Sequence, residues 1–374
     1  MSAFYSIVHK ISFWIILAFV SSFVIRLILL LDPNKRVYNH TPGPCRILTE
    51  AYKGIAGMHL VESQSRVYIT FGYAKAFGVK AKPGIAYYEV KKADNTNQNP
   101  QHTYELVAMT IEWKDGFDSK YFAPAGIASY VSKGRVLLYV VNAHPNYQCI
   151  HFFSVDKNAL KHRKTVCDAE FTSIQDVAVV GADRLFITNL AYFSHGYLQV
   201  AELAAQSNTG KVLLYDGHNV KVAVSSLPSP SGIAYDKERQ LLFVGSMLNE
   251  MIKVYDVGKD ISLNPKTDIS ILTSPMGIHV DKKSGDIWVS CHPVAFQAFL
   301  HYQHPDEENM RSPSQVLRIR MQEDGVSWVI TEPYANDGAT VSASKSIAYY
   351  EEQLLIGGAF GRLLHCDVLN PQIT

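Results

Sequence analysis

The chain has 374 residues, 47% of them apolar and 11% aromatic, with a formal net charge of +1 at pH 7. That length suits one large β domain or two ordinary ones and is ample for a buried core. A near-neutral charge without a basic run excludes a polyanion-binding surface, so no nucleic-acid partner is expected.

Residues 11–31, ISFWIILAFVSSFVIRLILLL, form an apolar run whose only charge is Arg26. At helical rise it matches the hydrocarbon thickness of a bilayer. A cleaved secretory signal has a shorter apolar core and a small-x-small cleavage site, so the reading here is an uncleaved signal-anchor. Arg26 lies near its C-terminal end, where a long side chain snorkels to the interface. Lys10 ahead of the run and Lys35 and Arg36 behind it, beside Asp32, barely orient it. Asn39–Thr41 is a glycosylation acceptor triplet, and Cys45 and Cys366 bracket the rest of the chain. A disulfide between those two needs an oxidising compartment. Together these predict a cytosolic tail over residues 1–10, the anchor over 11–31 and a linker over 32–44. The remaining domain is then lumenal or extracellular, in the endoplasmic reticulum or at the plasma membrane.

From residue 56 onward a pattern recurs: AGMHLVESQSRVYIT, AGIASYVSKGRVLLYVVN, QDVAVVGADRLFITN, SGIAYDKERQLLFVGS, MGIHVDKKSGDIWVS and KSIAYYEEQLLIGG. The copies begin near residues 56, 125, 175, 231, 276 and 345. Each has two alternating strands joined by a polar turn, and GKVLLYD, MIKVYDV, QVLRIRM and RLLHCDV supply strands between them. Repetition at this spacing predicts a six-bladed, all-β propeller over residues 45–368, followed by a tail, 369–374. The leading glycines let inner strands approach the axis closely. Cys45 and Cys366 would tie the first strand to the last. Whether Cys149 and Cys167 face each other across a hairpin is left open by the sequence, and Cys291 reads as a buried small apolar residue. Residues 191–206, with Tyr192, Leu198 and Leu203, predict a short amphipathic helix, either a surface insertion or a membrane-lying or lid segment.

Residues just ahead of the inner strands should face the channel mouth: Ala56, Ala125, Gln175, Ser231, Met276 and Ser346. Calcium takes six to eight oxygens, several of them from carboxylates. This ring holds none, although Asp176 follows Gln175 and Asn189 ends the same blade's second strand. Asp176 and Asn189 are the candidate metal ligands, but two oxygen-bearing side chains beside a neutral ring do not make a strong hard-cation site.

The segments VVNAHP, IQDVAVVG, PSGIAY, SGDIWVSCHP, QVLRIR and LLIGG…LLHCDV resemble the paraoxonase/arylesterase family, over roughly Cys45 to Val368. The resemblance implies a six-bladed propeller with two channel calcium ions, an uncleaved hydrophobic N-terminus and a disulfide between first and last strands. It also implies hydrolysis of lactones and aryl esters, calcium polarising the carbonyl and histidines assisting. Carried onto this chain, the paired cysteines match Cys45 and Cys366, the histidines match His144 and His292, and the structural-calcium aspartate matches Asp176. The family's Glu-Asp pair falls on Ala56 and Gly57, its asparagines on Gln175, Ser231 and Gly277, its channel aspartate on Met276 and its principal histidine on Ala125. Nearly every catalytic-calcium ligand is therefore replaced, and His144 and His292 read as structural residues of His-Pro turns.

Three functions follow. The first is a non-catalytic, membrane-anchored relative, similar in kind to nematode members that support assembly and surface delivery of degenerin-type sodium channels. The second is a calcium-dependent arylesterase or lactonase with altered ligands. The third is a propeller that binds lipid or a small molecule at the mouth around Met276. The first is the expectation, and a small-molecule substrate is not.

Overall fold

A computed structural model describes residues 2–49, 52–90, 105–114, 116–307 and 309–370. Six antiparallel-built sheets form the six blades of a propeller. Their innermost strands are Gly57–Val61, Pro124–Ser132, Ile174–Gly181, Pro230–Asp236, Ser274–Val280 and Ser344–Tyr350. All six fall on the repeat starts read from the sequence. Blade two departs from the four-strand expectation: Thr110–Glu112 adds parallel to Ala159–Cys167 as a fifth, outermost strand. Of the expected tail, Leu369 and Asn370 are described and 371–374 lie outside the described residues.

The ring closes with strand Cys45–Thr49, which pairs antiparallel to Leu363–Asp367 as the outer strand of blade six. Cys45 sits directly opposite Cys366, and the two form a disulfide across 321 residues of chain. Such a cross-link restricts the unfolded chain by between about 5 and 6 kcal/mol in the entropy model. A second disulfide joins Cys149 to Cys167, register partners on neighbouring strands of blade two. Cys291 is free and buried.

Apolar packing lies between blades. Six clusters of buried residues occupy the six junctions; the one between blades two and three, for instance, packs Tyr139 and Ile150 on Val177, Leu185 and Ile187. Nearer the axis there is no room for large side chains. A Cβ on Gly126 would collide with Asp176, and one on Gly232 with the carbonyl of Met276. Hydroxyls bridge the same gap. Thr70 donates to Ala125 O at 2.6 Å, Thr188 to Ser231 O at 2.6 Å, Ser231 to Pro275 O at 2.6 Å and Ser346 to Ile55 O at 3.1 Å. Each takes up a carbonyl that would otherwise be buried without a partner.

Helix α1, Ser2–Leu31, continues through the expected tail, and its Tyr5–Leu31 part is long and apolar enough to cross a membrane. The linker behind it is tied to the body. Lys35 Nζ donates to Leu272 O, His40 exchanges backbone hydrogen bonds with Ala335, and Asn39 accepts from Asp337 N. Helix α2, Gly196–Ala204, realises the predicted helix; Glu202 holds its entry by accepting from the N–H groups of Tyr192 and Phe193. Tyr192, Tyr197 and Leu198 remain exposed. Helix α3, Ala295–Gln303, lies between blade-five strands and meets the end of α1.

Thr188→Val keeps the shape but strands Ser231 O and the N–H of Asp176, which Thr188 also receives at 3.1 Å. The expected cost is about 2–3 kcal/mol. A fall of about 3–4 °C in the thermal midpoint of the detergent-solubilised chain checks it.

Candidate functional site

Five of the six inner strands carry a register break at the ring position: between Pro124 and Ile127, Ile174 and Val177, Pro230 and Ile233, Pro275 and Ile278, and Ser344 and Ser346. A bulge re-aims the side chain it contains. Ala125, Gln175, Met276 and Lys345 therefore turn at the mouth, with Ala56 just ahead of the first strand, whereas the Ser231 hydroxyl enters the blade junction and reaches Pro275 O. At blade six the ring is corrected by one residue. Ser346 occupies the blade junction, where its hydroxyl reaches Ile55 O, and Lys345 takes the channel position.

Lys345 is 7% exposed. Its ammonium donates to Gln175 Oε1 at 3.2 Å and lies 4.8 Å from the centroid of the Tyr73 ring, a cation–π distance. Asp176 is half-buried at the channel wall. One of its oxygens accepts from Val177 N at 2.9 Å and the other from Ile233 N at 3.3 Å. Burial pushes the carboxyl up to about 7, against those two N–H groups and Lys345. Burial also pushes the Lys345 ammonium down to about 8, against the pull of Asp176. Each charge is costly here and each partly stabilises the other.

Aromatic rings cover this group. Tyr73 and Phe77 come from a 3₁₀ turn after the second strand of blade one, Tyr302 from α3 and Phe360 from the last blade. Ring centroids lie 5.3 Å apart for Tyr73–Phe77, 5.5 Å for Phe77–Tyr302 and 4.9 Å for Tyr302–Phe360. Such edge-on contacts favour a fixed cluster. The cap residues come from distant segments with no shared spacing, so the sequence carried no signal for them. Lys345 did have one: setting Ser346 under Gly277 and Asp176 in the repeat puts Lys345 under Met276 and Gln175.

The expected site residues do not converge. His292 ends strand Ile287–His292, is 4% exposed and lies 5.9 Å from the Tyr302 ring. Burial, then the charge of Lys345, pushes it down to about 3. His144 ends strand Arg135–His144 of blade two, half-buried, accepting from Asn146 N at 3.2 Å and standing edge-on to Tyr121 at 5.3 Å. Burial, Lys75 and His195 lower it. Among the described residues no hydrogen bond or ring contact joins His144 to His292, Gln175 or Asp176. The Asn189 amide is engaged elsewhere: its oxygen accepts from Thr172 N and Ser173 N, and its nitrogen donates to Thr172 Oγ1 and Ala191 O. Gly57 and Gly277 serve the blade junctions, where a Cβ would meet Ala125 O and Lys345 O. Cys291 is fully buried, and burial pushes its thiol well up.

Calcium fits these residues poorly. Among the described residues no group of three His, Cys, Asp or Glu side chains is placed to hold a metal. The ring supplies one carboxylate beside it, already bonded to two backbone N–H groups, and one ammonium, which repels a cation.

The fold and mouth define a six-bladed β-propeller whose channel mouth holds a buried ammonium, Lys345. The chain belongs to the arylesterase (paraoxonase) family, whose profile matches residues 17–368. It is 54% identical over 369 residues, 98% of this chain and 97% of the other, to Mechanosensory abnormality protein 6 of Caenorhabditis elegans. It is 30% identical to human serum paraoxonase/arylesterase 2 over 259 residues, 68% of this chain and 71% of that one. Among solved structures, a luciferin-regenerating enzyme superposes with a TM-score of 0.56 at 12% identity, covering 87% of this chain and 96% of its own. Regucalcin of Agrobacterium tumefaciens, a calcium-binding protein, gives 0.52 at 9%, covering 88% and 95%. These two likenesses establish the fold alone.

His292 also makes a pH prediction. The unfolded chain protonates this histidine near 6.5, the folded chain near 3, so stability falls as pH drops below 6.5. The loss is about 1.4 kcal/mol per pH unit. Between pH 7 and 5 the protein should lose about 2 kcal/mol relative to His292→Leu in paired denaturant titrations. An unchanged difference would show that His292 is not held neutral.

Proposed function

We propose that this is a membrane-anchored, non-catalytic propeller that supports folding, assembly or surface expression of a membrane channel of the degenerin type. The observation that carries the non-catalytic part is Lys345. A metal that polarises a substrate carbonyl needs several oxygen ligands and an open coordination position. Here the mouth presents an ammonium under an aromatic cap. The channel part is supported by high identity, over almost the whole length, to a nematode protein named for a mechanosensory abnormality. In this reading α1 is a signal-anchor, residues 1–10 are cytosolic and the protein is single-pass type II. The propeller is lumenal or extracellular, in the endoplasmic reticulum or at the plasma membrane. An oxidising compartment suits the two disulfides, and exposed Asn39 is the glycan acceptor.

Family membership favours one other reading, a calcium-dependent arylesterase or lactonase in which Asp176 holds a structural calcium ion and His144 and His292 assist. Co-expression with degenerin-type subunits separates the two. The expected result is more channel at the cell surface and more sodium current with the full chain than without it. The purified chain should hydrolyse phenyl acetate and a simple lactone no faster than buffer with millimolar calcium. Calcium-dependent turnover that His144→Ala abolishes, without any effect on the channel, overturns the proposal.

A further inference from the structure

We propose that the Lys345 ammonium is the resident cation of the central channel, a built-in substitute for the calcium ion that the family implies there, and that the fold is complete without a divalent metal. This inference does not rest on the channel-support reading and stands or falls separately from it.

Three observations carry it. The first is connectivity. Lys345 belongs to blade six, Gln175 Oε1 at 3.2 Å to blade three, and the Tyr73 ring at 4.8 Å to the segment after blade one's second strand. One ammonium therefore ties three blades across the mouth, as a multidentate ion would. The second is charge. Among the ring positions and the residues that follow them, Ala56–Gly57, Ala125–Gly126, Gln175–Asp176, Ser231–Gly232, Met276–Gly277 and Lys345–Ser346, there is one carboxylate and one ammonium. The pair is neutral, whereas a divalent ion would leave a net positive charge in a poorly solvated space. The third is donor supply. Both Asp176 oxygens already accept backbone N–H groups, from Val177 and Ile233, so the one carboxylate is held by the protein. An ammonium still gains from it through the field. A metal needs its lone pairs and several more.

The bulge between Ser344 and Ser346, which four other inner strands share, is what lets the lysine reach the channel. In register, Lys345 would point between blades, where Ser346 and Gly277 show there is no space. The break turns its long side chain into the channel and lets its apolar stem line the wall.

The test uses the full chain in detergent and follows thermal unfolding by tryptophan fluorescence. The unaltered protein should unfold at the same temperature, within about 1 °C, in EGTA and in millimolar calcium chloride. Lys345→Met should lower the midpoint by about 5 °C or more, since it leaves Asp176 without its counter-charge. Asp176→Asn should lower it too, and the double variant should be less damaged than the sum of the two. A chelator-induced fall in the unaltered protein overturns the proposal, and so do additive single effects. Should Lys345→Met fail to fold, the chelator comparison on the unaltered chain decides alone.

Discussion

Everything in this molecule depends on how closely six strands crowd one axis. At the outer edges the blades stand apart, and bulky residues such as Trp288, Phe153 and Phe243 fill the wedges. At the axis the wedge has no width. There the contacts shrink to a glycine against a backbone, as at Gly126 and Gly232, or to one hydroxyl against a carbonyl. Where the second strand offers Thr70 or Thr188, that residue makes the bridge. Where it offers Gly245 or Gly357 instead, Ser231 or Ser346 on the first strand makes it. The constraint is thus on the bond, and either strand can supply the donor.

The same crowding determines what the channel can hold. Buried backbone groups and a single carboxylate favour a cation at the mouth. A lysine supplies one charge, fixed to the chain and never lost to dilution, but it presents N–H donors in place of open coordination positions. The cap of Tyr73, Phe77, Tyr302 and Phe360 follows from that choice, because a cation that takes no exogenous ligand tolerates an apolar cover, and Tyr73 contributes its ring face directly.

How much of this was legible in the sequence depends on the length scale of the signal. The six inner strands repeat with one pattern, so blade number and ring closure through Cys45 and Cys366 could be read, whereas the pairing of Cys149 with Cys167 was left open until their register placed them opposite each other. Blade two's fifth strand could not: Thr110–Glu112 is three residues long and pairs with the blade after the one it follows. At blade six the ring was read one residue late, and the Ser231 hydroxyl turned out to bridge to Pro275 O. Alternation alone cannot locate a bulge, and KSIAYY lacks the glycine that marks the junction in four other copies. His144 and His292 were read as residues of His-Pro turns, whereas each is the last residue of a strand just ahead of its proline. Their separation was not legible, because it depends on tertiary packing.

The tether makes the last link from fold to function. A propeller joined to its membrane helix by a loose linker would sample all orientations. Here residues 32–44 run along the body, held at Lys35, Asn39 and His40, before Cys45 enters blade six. Helix α1 ends against α3, the same helix that carries Tyr302 over the channel mouth. The capped mouth therefore lies on the side from which the anchor leaves. Under the proposed function, a partner embedded in the same membrane would meet that side and the rims of the adjoining blades. For the client binding proposed here, a fixed tilt has a direct use. Orientational freedom lost in folding need not be lost again on association, so a modest contact area supports binding.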